Sequence, residues 1–117
     1  MSRDQRGAVT AEIALGLPLL MSITIGLVWL LTIGIAQALA VDAAREAARS
    51  AARGDPTSTV VGRAHQLAPH ARVQVRVADG EVVASVSDSV APPGGLLGFL
   101  PSAPVHARAV TAAETVP

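Results

Sequence analysis

No charged residue interrupts residues 13–41, a run of 29. Nothing else in the chain limits its architecture so strongly. The densest part, residues 13–35, spans roughly 35 Å as a helix. A bilayer core is about 30 Å thick and takes about 20 apolar residues. At 117 residues in all, the remainder of the chain is too small to bury such a helix. The run is therefore expected to be a single transmembrane helix, long enough to tilt.

Two other uses of the run have to be weighed. Ala38-Leu39-Ala40 has the small-x-small pattern of a secretory cleavage site, but a signal's apolar region is usually about 7–15 residues. A plain uncleaved anchor is the other, and only Gly7 and Glu12 speak against it. Glu12 sits at the start of the apolar tract, where a simple anchor has no use for a carboxylate. Arg3 and Arg6 precede the helix while Arg45, Arg49 and Arg53 follow it, so the positive-inside rule gives no orientation.

Beyond the tract, "AVDAAREAARSAARGDP" is rich in the strongest helix former. Asp42–Arg45 and Glu46–Arg49 stand at helical neighbour spacing, with Arg49 and Arg53 suiting the C-terminal end of the dipole. Gly54 supplies a stop, and Asp55-Pro56 reads as a cap and a new first turn. The long helix is thus expected from about residue 8 to 53. Its Ala-rich half, residues 36–52, suits close packing against a neighbouring helix or a solvated linker.

A second helix is expected over residues 56–68, with Val60, Val61, Ala64 and Leu67 on one face. The period then changes to two. Residues 72–77 alternate polar and apolar, Asp79-Gly80 is a hairpin turn, and residues 81–90 return with Val82, Ala84 and Val86 inward. A third strand over residues 105–112 completes a small antiparallel sheet, with helices covering its apolar face. The fold class is α+β. Between strands two and three, "APPGGLLGFLPSAP" is a loop, yet Leu96, Leu97, Phe99 and Leu100 form an apolar cluster. They either tuck over the sheet or contact a partner or the membrane surface.

The chemistry of catalysis is missing. All nine basic residues are Arg, spread among nine acids for zero net charge, unlike the concentrated basic face of a nucleic-acid binder. There is no Cys, and His65, His70 and His106 lack metal-ligand spacing. Asp79-Gly80-Glu81 is explained by a turn, and Gly94-Gly95 lacks the strand-to-helix setting of a phosphate loop. Neither an enzyme nor a cofactor, metal or small-molecule substrate is expected.

The Arg-containing leader, Gly7, Glu12 and the immediate apolar helix together resemble type IV pilin-like precursors. More narrowly, "RGAVTAEIALGLPLL" followed by "DAAREAARSAARGD" is similar to the TadE-like minor pilins of tight-adherence pili, in their short actinobacterial form. The resemblance extends to "VQVRVADGEVVASVS" and "GGLLGFLP". It implies a leader of residues 1–7, cut by a prepilin peptidase between Gly7 and Ala8, where pilins often have Phe or Met in place of Ala8. It also implies a transmembrane helix over residues 8–41, a helical extension over 42–54 and an extracytoplasmic α+β domain over 55–117. The N-terminus would be cytoplasmic, and the partners would be the membrane, the peptidase, other pilin-like subunits and pilus assembly proteins. Glu12 then has a motive. Cleavage frees an amine on Ala8, largely protonated near neutral pH with a reference pKa of about 7.7–8.0, one helical turn from the carboxylate. The competing expectation is an uncleaved, single-pass envelope protein presenting a binding module.

Overall fold

The computed structural model describes residues 3–114. One helix, α1 (Arg3–Ala52), runs for 50 residues, about 75 Å at 1.5 Å per residue. It gives the molecule its long axis of 88 Å against 20 and 18 Å across. Pro18 lies inside it and withdraws one backbone donor from the Ala14 carbonyl, but the helix continues on both sides. The second helix, α2 (Thr57–Leu67), is followed by strands β1 (Arg72–Ala78), β2 (Glu81–Val90) and β3 (Ala103–Ala112). A short 3-10 turn, Gly95–Leu97, stands between β2 and β3.

The strands form an antiparallel sheet in the order β1-β2-β3. Ala78 pairs with Glu81, so Asp79 and Gly80 make a two-residue hairpin turn with φ of 53° and 77°. Both values are positive, as the turn that matches strand twist requires. Val82, Ala84 and Val86 of β2 are buried, as the alternation predicts.

What covers them is the Ala-rich part of α1. Ala40, Ala43, Ala44, Ala47 and Ala48 repeat at helical spacing along one face and are at most 2% exposed. They pack with Val60 and Ala64 of α2, the β2 side chains, and Val105 and Ala107 of β3 in one cluster. Small side chains let the helix axis lie close to the sheet. This stretch is therefore no solvated linker, and that face is occupied within its own chain.

The end of α1 uses its glycine. Gly54 has φ of 85°. Its N–H donates to the Ala51 carbonyl at 3.0 Å, and the Asp55 N–H donates to the Ser50 carbonyl at 3.2 Å. These are the two bonds of a Schellman stop. Asp55 behaves differently from expectation. The residue before α2 is Pro56, with no side-chain cap. The Asp55 carboxylate instead folds back onto α1, accepting from the buried Ser50 hydroxyl at 2.6 Å and from Arg53 at 3.3 Å. Ser50, the only buried polar residue among the described ones, is thereby satisfied.

Candidate processing and assembly site

Gly7, Ala8 and Glu12 all lie on the first turns of α1 and are exposed. In a helix, residues 8 and 12 stand on one face about one turn apart. Glu12 has no ion pair among the described residues, so its carboxylate is open to a partner outside them. Above it the helix displays apolar surface on all sides: Leu15, Leu17, Leu19, Leu20 and Met21 are 61–77% exposed. The most apolar 18-residue window of α1 has a mean hydropathy of 2.3 and none of it is buried.

The hydroxyls of this segment are matched to a water-poor environment. Thr10, Ser22, Thr24 and Thr32 each donate to the carbonyl four residues earlier, at 2.8–2.9 Å. Such back-bonding satisfies a polar side chain within its own helix, as a lipid setting requires. A long helix, apolar all round and internally satisfied, is the form that crosses a membrane.

The apolar loop does not tuck over the sheet. The 3-10 turn packs against α1 alone among the secondary-structure elements. Leu97 lies over Gly26, its Cδ1 3.5 Å from where a Cβ on that glycine would stand. Phe99 is 80% exposed and Leu100 is half-buried, while the Leu96 side chain lies outside what the structure describes. Thr24, Val28 and Trp29 of α1 face Val90 and Pro93 across an apolar groove at the same level. Leu97 is therefore about 27 Å along the helix from Ala8, at 1.5 Å per residue, so the loop and the Gly7–Glu12 region lie apart on the molecule.

Three arrangements are not visible in local sequence. Gln37 reaches β3, its Nε2 donating to the His106 carbonyl at 2.8 Å while its Oε1 accepts from the His106 N–H at 3.4 Å. Glu46 pairs with Arg49, as its spacing predicts, but also with Arg63 of α2, each at 3.5 Å. His65 is held to the Ala71 carbonyl at 3.1 Å, tying α2 to the start of β1. Among the described residues no group of three or more His, Asp or Glu side chains is placed to hold a metal ion.

Among protein-family models, that described as TadE-like protein matches residues 7–49. The match opens on Gly7, contains Glu12 and closes on Arg49, so it covers the exposed apolar helix and most of the alanine face. No curated protein and no solved structure matches the chain.

Proposed function

We propose, for a chain that is TadE-like over residues 7–49, the role of a minor pilin or pseudopilin in a tight-adherence, type IV-like pilus system. The observation that carries this reading is the division of labour along α1. Its first part exposes apolar surface on every side, whereas residues 40–52 are the spine of the small domain. Such a subunit can rest in a bilayer and later exchange lipid for neighbouring helices without refolding its domain. Apolar surface that lipid covers before assembly is covered afterwards by other subunits.

In this reading a prepilin peptidase hydrolyses the Gly7–Ala8 amide, giving a carboxylate on Gly7 and an amine on Ala8. The mature chain has 110 of the 117 residues. Water supplies the atoms, and the amine takes up a proton near neutral pH. Glu12 answers that charge, on its own helix or on a neighbouring subunit. A carboxylate at the bilayer centre costs about 2.5–3.5 kcal/mol on insertion scales, and less near the interface. Pairing with an amine offsets that cost. The orientation is N-terminus cytoplasmic, domain outside.

One observation favours a second reading. Helix α1 begins at Arg3 and runs through the Gly7–Ala8 bond, so a peptidase that takes an extended substrate must first unwind this turn. An uncleaved anchor presenting a binding module needs no such opening. Glu12→Ala tests the pilin role. Membrane insertion should persist while incorporation into the pilus falls, and unchanged piliation in a strain carrying the substitution would contradict the role given to Glu12.

A further inference from the structure

The chain has two large aromatic side chains, Trp29 and Phe99, and the fold brings the segments carrying them to one level of α1. Trp29 lines the groove that faces Val90 and Pro93. The 3-10 turn just before Phe99 lies on the helix at Gly26. Aromatic residues with this placement collect where lipid meets water.

We propose that the outer boundary of the membrane crosses the molecule at Trp29, and that the loop over residues 91–101 is seated in the lipid headgroup and upper-chain region. Four independent features support this. Residues 89–105 carry no ionisable side chain, so nothing in the loop opposes contact with lipid. Phe99 is 80% exposed, two residues past Leu97, which lies on the exposed apolar part of the helix at Gly26. Pro92, Pro93 and Pro101 bring no backbone N–H, and the Gly98 and Leu100 N–H groups donate to the Gly95 and Leu97 carbonyls, both at 3.1 Å. Five of the loop's eleven residues thus carry no free backbone donor, and the polar headgroup level can meet the N–H groups of the others.

The fourth feature is length. Counting back from Trp29, residues 9–28 supply about 20 residues and about 30 Å, one hydrocarbon thickness. That count takes in Glu12 close to its inner end, where a carboxylate lies near the interface, and stops beside Arg3, Asp4 and Arg6. The span thus lies nearer the N-terminus than the most apolar stretch, residues 13–35, suggests. Irregular backbone is not tolerated deep in hydrocarbon, so the loop marks the boundary and does not cross it. Leu30 and Leu31, 60% and 64% exposed, fall at headgroup level. Ile35 and Leu39 lie beyond it and are left for contacts between subunits.

This inference rests on the membrane reading of α1 and is independent of cleavage at Gly7. Because Trp29 is the single tryptophan, its depth can be read directly. The full chain is reconstituted in phosphatidylethanolamine–phosphatidylglycerol vesicles whose lipids carry bromine either high on the acyl chain or near its end. A second chain carries Trp29→Phe with Phe99→Trp. The first change removes a buried indole N–H that has no hydrogen-bond partner among the described residues, so the fold should survive. Both probes should show blue-shifted emission and lose more intensity to the high label than to the terminal one. Stronger quenching of Trp29 by the terminal label would overturn the boundary. A quenched Trp29 beside an unquenched, red-shifted probe at position 99 would overturn the loop's seat. Loss of quenching at both positions would overturn this inference together with the membrane reading, and leave the Gly7 cut to be judged separately.

Discussion

Gln37 holds β3 by its backbone: one side-chain amide of α1 both donates to the carbonyl of His106 and accepts from its N–H. Strand β3 is an edge of the sheet, and an edge exposes backbone groups that would otherwise pair with another chain. Gln37 closes that edge at one residue and fixes how far along α1 the sheet sits. Replacing Gln37 by Leu should cost about 1 kcal/mol, the net value of a typical intramolecular hydrogen bond. Hydrogen exchange should show the His106 amide exchanging faster, with β2 amides unaffected. Equal protection of His106 in both chains would remove the clamp from the account.

The alanine face predicts a sharp dependence on side-chain size. Ala47 is fully buried where α1 meets the rest of the core. Ala47→Leu adds bulk with no void to take it, and overpacking typically costs about 1–3 kcal/mol. Arg45, two residues earlier and so on the opposite side of the helix, is exposed, and Arg45→Leu should leave stability nearly unchanged. Denaturant unfolding of the full chain in detergent micelles compares the two. Similar midpoints would mean that the helix does not pack on the sheet this closely.

Stability should also depend on acid through Asp55. Its carboxyl is held below its ordinary value, first by the Ser50 hydroxyl and then by Arg53, with Arg63 adding charge and desolvation working in the opposite direction. A carboxyl whose folded pKa is depressed contributes stability that is present above its unfolded value, about 3.9. That contribution is lost as pH falls from there through the folded value. Asp55→Asn should flatten the acid limb of a melting-temperature profile, and Ser50→Ala should flatten part of it. An acid limb unchanged in both variants would show that this pair does not report on folding.

The local signals in the sequence carried the elements well, because each depends on neighbours in the chain. The 29-residue uncharged run forecast the long helix. The alternation around Val82, Ala84 and Val86, with Asp79-Gly80 between the strands, forecast the hairpin. Gly54 forecast the helix stop and acts through its positive φ. What stayed hidden depends on distance. Gln37 meets a backbone 69 residues away, and nothing near residue 37 announces it. Asp55-Pro56 has the local look of a cap, but the nearby Ser50 hydroxyl, buried and in need of an acceptor, takes the carboxylate instead. The loop of Leu96, Leu97, Phe99 and Leu100 was legible as apolar, but its choice of helix over sheet follows from the space left at Gly26. Gly7, Ala8 and Glu12 were legible only as a spacing at the border of the apolar run, since the use proposed for them depends on molecules outside the chain.

The most direct test of the pilin account is the N-terminus of the protein itself. Intact-mass and N-terminal peptide spectrometry on the chain extracted from its native membrane reads it in one measurement. The account predicts a chain that begins at Ala8, with the seven-residue leader removed. A chain that retains residues 1–7, or one that begins at Val41 after the Ala38-Leu39-Ala40 pattern, would contradict it.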